Sequence, residues 1–266
     1  LVGLDITVQG LGSTVNYGLV WLGDPDQTSL TGVGRQLVID RSYVHGDATS
    51  DVRRCVALSG IANAVVNSWL SDCHARGADA QAIAGWNGPG PYLIENNYLE
   101  GSGENVMFGG SDPMVSGLIP ADITIRRNHF NKPASWIGGP WSIKNLYENK
   151  NAKRVLIEQN VFEGSWAAAL EGWAMILKAE NQSGGCRYCT SRDLTIRRNY
   201  FKRIGAGIAI NGAGDTGFPN DSLSGRIDIS ENWMEGVREG QYAGNGRMFL
   251  VVGNAADVRI TANVAL

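Results

Sequence analysis

The sequence predicts an all-β solenoid of about nine coils, and three observations support this prediction. A short motif, apolar-x-x-Asn-x-apolar, recurs along the whole chain. Its copies are spaced irregularly, by 26 to 39 residues, which suits a solenoid because each coil keeps its strands in register and absorbs insertions in its loops. Glycine, at 35 of 266 residues, is about twice as frequent as usual and favours tight turns over long helices.

The motif has nine copies, and they read as strands because β-branched and aromatic residues alternate with polar ones. Asn occupies the fourth position in the last six copies, whereas Asp5, Ser42 and Ser68 occupy it in the first three. Asn accepts left-handed backbone angles and bonds the main chain of adjacent turns, so a stacked Asn ladder is expected at a turn between strands. The copies begin at Val2, Ile39, Val65, Ile94, Ile125, Ile157, Ile196, Ile229 and Ile260.

Charged residues at two equivalent positions of successive motif copies provide an independent check of the predicted stacking, because the alignment did not select them. Both columns alternate in sign from one copy to the next, and this alternation explains why "TIRRN" recurs in every second coil. If the copies stack as parallel strands about 4.8 Å apart, each charge lies between two opposite charges. One column contains Asp122, Arg154, Asp193, Arg226 and Asp257, and the other contains Glu95, Arg126, Glu158 and Arg197.

A second strand is predicted in each coil after the motif. The segments share an apolar, strand-like pattern that often ends in glycine, as in "NVMFGG" and "GIAING". They cover residues 55–60, 81–86, 105–110, 141–146, 174–179, 207–212 and 248–253. Each coil is therefore expected to contribute strands to at least two sheets.

Together, these features resemble the right-handed parallel β-helix of the pectate-lyase-like superfamily, over essentially the whole chain. The resemblance implies one domain spanning residues 1–266 and extracellular work on polysaccharides. The superfamily includes uronan lyases, inverting hydrolases, epimerases, phage tailspikes and non-catalytic carbohydrate-binding proteins. The lyase signatures "WIDH" and "RxPxxR" and the hydrolase signatures "NTD", "GHG" and "RIK" are absent, so no catalytic residue is carried over from the superfamily.

The candidate catalytic residues are two lysines and two glutamates near the second strand. Lys144 and Lys178 align at equivalent positions of adjacent coils, which predicts two neighbouring ammonium groups on one face. Glu148 and Glu180 follow them closely, and Asn211 occupies the equivalent place in the next coil. A strip of lysine, amide and carboxylate groups suits a linear sugar chain. Ordinary surface ion pairs are the alternative interpretation.

Substrate-binding candidates extend this strip. Glu104 and Asp112 flank the same strand in an earlier coil. Trp86 and Trp173 fall in or beside the second strand, and sugar rings stack on exposed aromatic faces. Asn211 completes the predicted binding set.

Two reactions follow from these residue types. In a lyase, a lysine whose pKa is lowered by a cationic neighbour abstracts the C5 proton of a uronate, while other cations or a bound Ca²⁺ offset the carboxylate charge. In a hydrolase, two carboxyl groups separated by a water cleave a glycosidic bond with inversion. No protein metal site is predicted. A non-catalytic carbohydrate-binding module and a self-assembling surface module are the alternatives to an enzyme.

Composition limits the partners. The net charge of −3 provides no basic field for nucleic acid, and no apolar run reaches the roughly 18 residues of a spanning helix. "GAGDTG" at 212–217 satisfies GxGxxG but leads into "FPND" instead of opening a helix, so it is not assigned to a dinucleotide. The chain opens and ends on strand-like segments, and exposed solenoid ends normally need caps, so further domains, capping segments or neighbouring copies are expected beyond it.

The four cysteines predict two disulfides and an oxidising, extracellular setting. Cys186 and Cys189 form a CxxC pair, and Cys55 and Cys73 lie 18 residues apart. The two pairs belong to distant coils, so a shared four-thiolate metal site is not expected. Disulfides within each pair fit better.

Overall fold

A computed structural model describes residues 1–8 and 14–266, and the chain in it winds through three parallel sheets in a fixed order. We call them sheet I, with nine strands, and sheets II and III, with eight strands each. Each coil passes from sheet I to sheet II to sheet III, and the next coil begins on sheet I again. The predicted all-β parallel helix with nine coils is confirmed, and it contains three strands per coil instead of the two recognised in the sequence.

The strand bounds are as follows. Sheet I contains β1 (Asp5–Thr7), β4 (Tyr43–His45), β7 (Trp69–Cys73), β10 (Tyr98–Gly101), β13 (His129–Asn131), β16 (Val161–Ser165), β19 (Tyr200–Ile204), β22 (Trp233–Val237) and β25 (Val264–Ala265). Sheet II contains β2 (Val20–Leu22), β5 (Arg54–Leu58), β8 (Gln81–Gly85), β11 (Glu104–Phe108), β14 (Tyr147–Asn149), β17 (Trp173–Lys178), β20 (Ala206–Asn211) and β23 (Phe249–Val252). Sheet III contains β3 (Val38–Asp40), β6 (Ile61–Val66), β9 (Gly90–Glu95), β12 (Ala121–Arg126), β15 (Ala152–Glu158), β18 (Ser191–Arg197), β21 (Gly225–Ser230) and β24 (Ala256–Thr261). A 3₁₀ turn covers Ala134–Trp136.

The core consists of stacks of identical or similar side chains. Ile125, Ile157 and Ile196 are paired in register on sheet III and are fully buried. Phe162 stacks on Phe130 and Phe201 from sheet I, with ring centroids 4.3 and 4.8 Å apart. Since the strand period is two, the same register that buries these residues turns their neighbours outward to solvent.

The Asn ladder lies at the turn between sheets III and I. Asn128 donates its backbone N–H and its Nδ2 to Oδ1 of Asn160, at 2.9 and 3.0 Å, and the pattern repeats along the stack. Ser68 takes part in the same ladder, donating its N–H to Asn97 Oδ1 at 2.9 Å. The left-handed residue of this turn is the one before each ladder residue, for example Arg127 with φ of 56°, and is not the Asn itself.

One predicted ladder position is wrong. Asp5 pairs with Tyr43 in sheet I, which places Leu4 opposite Ser42. Leu4 then donates its N–H to Ser42 Oγ at 3.2 Å, so Leu4 occupies the ladder turn and Asp5 faces outward. The first motif copy is shifted by one residue because it lacks the Asn that fixes the alignment elsewhere.

Both charge columns are confirmed as contacts between adjacent coils. Arg126 contacts Glu95 at 3.0 Å, and Arg197 contacts Glu158 at 2.8 Å. In the other column, Arg154 Nε donates to Asp122 Oδ1 at 2.6 Å. The arginines of these pairs are partly exposed, and each pair contributes about 0–1 kcal/mol, so the pairs specify register more than they stabilise the fold.

Both predicted disulfides are formed, between Cys55 and Cys73 and between Cys186 and Cys189. The first links β5 of sheet II to β7 of sheet I in the following coil, and the second closes the long loop after β17. Among residues 1–8 and 14–266, no helix has the length and apolar character needed to cross a bilayer.

Candidate active site

A cleft of about 420 Å³ lies along the outer side of sheet II, a size typical of ligand sites. Five of the nine predicted site residues line it: Lys144, Glu148, Trp173, Lys178 and Asn211. The other four, Glu104, Asp112, Glu180 and Trp86, do not line this cleft. The structure therefore brings together both lysines and one of the two predicted catalytic glutamates.

The predicted strand at 141–146 is wrong, and this changes the register of the lysines. Strand β14 comprises Tyr147–Asn149, and Asn149 pairs with Leu177. Lys150, the residue after β14, lies beside Lys178, because the Nζ atoms of both lysines approach Glu148 Oε1, at 3.8 and 3.9 Å. Lys144 belongs to the loop before β14 and reaches the same cleft from there.

Lys178 lies at the centre of the charged groups. Its Nζ is 3.0 Å from Glu180, 3.0 Å from Asp215 and 3.9 Å from Glu148. Burial lowers the pKa of Lys178, but the negative charge of Glu148 and Glu180 and the contact with Asp215 outweigh it and raise the pKa above its ordinary value. The expected lowering of the Lys178 pKa by a cationic neighbour is therefore wrong, because the carboxylates around Lys178 stabilise the ammonium form.

Lys144 has a similar environment. Its Nζ donates to Asp79 Oδ2 at 2.6 Å and lies 3.8 Å from Glu104 Oε1. Burial lowers the pKa of Lys144, whereas Glu104 and Asp79 raise it and prevail. Both lysines predicted to be catalytic are thus cations that hold carboxylates in place.

Glu148 is the buried acid that faces the cleft. Burial, followed by the nearby negative charge of Glu104, raises the pKa of Glu148 to about 8, although Lys150 and Lys178 oppose the shift. Glu104 Oε1 is buried and has no hydrogen-bond partner among the described residues. Glu104 is itself fully buried and accepts a hydrogen bond from Gln81 at 2.6 Å.

Asp215 is the functional candidate that sequence reasoning missed. It lines the cleft, is largely exposed, and accepts hydrogen bonds from Lys178 at 3.0 and 3.1 Å. Its pKa is lowered, because the contact with Lys178 outweighs the effect of partial burial. Asp215 and Glu148 each contact Lys178 Nζ, so their nearest oxygens lie at most about 7 Å apart.

The glycine-rich segment "GAGDTG" places Asp215 beside Lys178. A Cβ on Gly214 would lie 1.9 Å from Glu180 Oε1, so only glycine allows the loop to approach this closely. Thr216 donates its hydroxyl to the same oxygen at 2.9 Å and fixes the loop. Glu180 is therefore an anchor for the loop that carries Asp215, and the segment first considered as a dinucleotide motif shapes the cleft.

The remaining predicted residues have other contacts. Trp173 lines the cleft but is mostly buried and packs on Ala209. Trp86 is buried under the guanidinium of Arg54, 4.8 Å from the ring centroid. Asp112 accepts backbone hydrogen bonds from the loop after β17, from the N–H groups of residues 182, 183 and 185, at 2.7 to 2.9 Å.

A metal site has little support. Within the described ranges, the group of His, Cys, Asp and Glu side chains close enough to share an ion consists of Asp112, Cys186 and Cys189. Its two sulfur atoms are joined in a disulfide and so provide no thiolate.

Lys132 is a further buried cation, and no pattern in the sequence predicts its burial. Its side chain is fully buried, and its Nζ donates to the carbonyls of Ser102 and Gly103 and to Asn105 Oδ1, at 2.9 to 3.0 Å. It also donates to the Gly101 carbonyl. Burial lowers its pKa to about 7. Lys132 therefore fastens the turn between β10 and β11, directly before Glu104.

One of the comparisons with known proteins bears on the fold. No protein family model and no curated protein sequence matches the chain. Among solved structures, the Dettilon tailspike protein (gp208) is similar, with a TM-score of 0.51 and 16% sequence identity. The match covers 90% of this chain and 42% of the tailspike chain, so this chain spans less than half the length of that protein. The chain therefore has a right-handed parallel β-helix fold, like this tailspike.

Proposed function

We propose that this protein is an extracellular polysaccharide-active protein and that the cleft on sheet II hydrolyses glycosidic bonds. The observation that carries the proposal is the pair of carboxyl groups with opposite pKa shifts, Glu148 raised and Asp215 lowered, on either side of Lys178. Hydrolysis needs one protonated and one ionised carboxyl group flanking the scissile bond. Glu148 takes the role of general acid, and Asp215 takes the role of base or nucleophile.

The rest of the cleft suits a sugar chain. Trp173, Ile176 and Leu250 provide an apolar wall for C–H faces, and Asn211 offers an amide to hydroxyl groups. The parallel β-helix fold resembles that of proteins that work on polysaccharides, and the two disulfides suit an oxidising, extracellular compartment. Segments or neighbouring copies that cap the ends of the solenoid remain a prediction.

Lysine-based elimination is less well supported than hydrolysis. A catalytic base must lose its proton near the working pH, and the carboxylates around Lys178 favour its protonated form. A non-catalytic binding module would need the apolar wall and Asn211 but has no use for a carboxyl pair with divergent pKa values. Both alternatives are outcomes of the experiment below.

The experiment incubates the protein with a panel of uronans and neutral linear polysaccharides. Reducing ends and the absorbance of unsaturated uronates are measured together. We expect new reducing ends without unsaturation, and a loss of about 100-fold or more in Glu148→Gln and in Asp215→Asn. Asp122→Asn, an exposed aspartate on sheet III, is the matched control and should retain full turnover.

Three results would contradict this assignment. Unsaturated products would indicate a lyase, and retention on a polysaccharide without any product would indicate a binding module. Unchanged turnover in both Glu148→Gln and Asp215→Asn would show that the reaction, if present, takes place elsewhere on the molecule.

A further inference from the structure

A column of aromatic side chains follows the outer face of sheet I, away from the sheet II cleft. The positions are paired in register from coil to coil, so they form one line parallel to the solenoid axis. The line contains Tyr43, Trp69, Tyr98, His129, Val161, Tyr200 and Trp233. Large aromatic rings in solvent are costly unless something covers them.

One face of the Trp69 ring has no aromatic neighbour among the described residues. Trp69 stacks on Tyr98 with centroids 3.8 Å apart and planes at 21°. On the other side, Tyr43 stacks on His45 at 3.9 Å, and its hydroxyl accepts a hydrogen bond from Ser71. No second aromatic ring of the described residues stacks on Trp69, and this residue is 49% exposed. The contacts with Tyr98 hold its indole in place.

A groove lies beside this column, and polar side chains form its rim. Asn67, Asn96, Arg127 and Gln159 all have left-handed backbone angles, with φ of 52° to 57°, and all are exposed. Because the ladder holds these backbones in a sparsely populated conformation, the side chains project from fixed positions. Asn96 donates its amide to Asn67 at 2.8 Å, and Arg127 pairs with Glu95. Arg41, which also lines the groove, pairs with Asp40, so the rim is rich in amides and each of its two arginines is paired with a carboxylate.

The groove is long enough for several sugar residues. Its volume is about 750 Å³, and its lining comes from five successive coils, from Tyr43 to Val161. At about 4.8 Å per coil the groove is about 20 Å long, and each coil is comparable in length to one sugar residue of an extended chain.

We propose that this groove, which we call the aromatic groove, binds a neutral linear glycan with a pyranose ring on the face of Trp69 opposite Tyr98. Aromatic faces pack on sugar C–H groups, and fixed amides such as Asn67, Asn96 and Gln159 suit hydroxyl groups. The neutral rim favours a neutral glycan over an acidic one. The proposal is independent of catalysis, since the groove and the cleft lie on different sheets.

The test uses cellohexaose, xylohexaose and mannohexaose as probes, with binding followed by calorimetry and tryptophan fluorescence. We expect saturable binding of at least one probe and a loss of about 10-fold or more in Trp69→Ala, with partial recovery in Trp69→Phe. Trp233→Ala is the matched control, since Trp233 occupies the same column, is 43% exposed and lies outside the groove. Its affinity should equal that of the unaltered protein.

Three results would overturn the proposal. One is that none of the three probes binds, and another is that Trp69→Ala binds as well as the unaltered protein. The third is a change of oligomeric state in Trp69→Ala by sedimentation, which would make the groove an interface between copies. Glu148→Gln separates the two surfaces, because it should lose turnover and retain probe binding at the groove. Binding lost in Glu148→Gln but kept in Trp69→Ala would place the probe in the cleft instead.

Discussion

Replacement of a single ladder residue, Asn160→Ala, should destabilise the protein far more than a surface change of similar size. Asn160 Oδ1 accepts two hydrogen bonds from Asn128. Its Nδ2 donates to the carbonyls of Ile125 and Glu158 and to Asn199 Oδ1, each at 3.0 Å. The side chain is 1% exposed, so water does not replace these partners.

The magnitude follows from the groups that lose their partners. In Asn160→Ala, the buried backbone N–H of Asn128 has no acceptor, which costs about 1–3 kcal/mol. The hydrogen bonds to Ile125 and Asn199 add about 0.5–1.5 kcal/mol each. The total loss in the free energy of unfolding is therefore about 2–6 kcal/mol.

Equilibrium unfolding in urea provides the assay, with the slope compared between variants to confirm that the same surface is exposed. The matched control is Arg197→Gln, which removes an exposed contact with Glu158 next to the same turn and should cost about 0–1 kcal/mol. Equal destabilisation by the two substitutions would refute the reasoning, because it would mean that the ladder contributes no more than surface ion pairs.

Two further substitutions test the buried charges. Lys132→Met should lower the free energy of unfolding in urea by about 2 kcal/mol or more, since it removes the donor to the buried carbonyls of Ser102 and Gly103. Lys153→Met on sheet III is the control and should lower it little. Equal losses in the two variants would contradict the role of Lys132. Glu148 has a folded pKa of about 8, above its unfolded value, so its contribution to stability is present at low pH and is lost as the pH rises from about 5 to 8. The difference in unfolding free energy between the unaltered protein and Glu148→Gln should follow that window, and a difference independent of pH would show that Glu148 is ionised in the folded state.

Periodic features of the fold were predictable from the sequence. The ladder Asn residues and the alternating charges, such as Glu95 and Arg126, recur because each coil must match the one before it, and that requirement leaves a pattern in the sequence. The assignment of Asp5 to the ladder was wrong because the first motif copy lacks the Asn that fixes the alignment in the later copies. Disulfide pairing was accessible because the cysteines of each pair lie close in the sequence, 18 and 3 residues apart, whereas the two pairs are far from each other.

The site was less predictable because it lies where the repeat is interrupted. "WSIKNL" alternates like a strand, but Ile143 packs into a cluster with Trp136 and Trp166 outside the main core, and β14 begins only at Tyr147. Lys132 follows an ordinary strand residue and carries no signal of burial. Asp215 lies in a loop, and its contact with Lys178 depends on a glycine that no periodic pattern explains.

The outer faces of the three sheets follow different rules, and the difference indicates where ligands are recognised. On sheet III, opposite charges alternate and neutralise one another from coil to coil, as in Arg154 with Asp122, so nothing further is needed. On sheet II, Lys150 and Lys178 both approach Glu148, at 3.8 and 3.9 Å, and the buried Glu180 contacts Lys178 at 3.0 Å. A solenoid that needed stability alone would have continued the alternation of sheet III. The arrangement on sheet II buries both positive and negative groups, and their desolvation is unfavourable to folding. Such a loss of stability is expected at a site that performs chemistry.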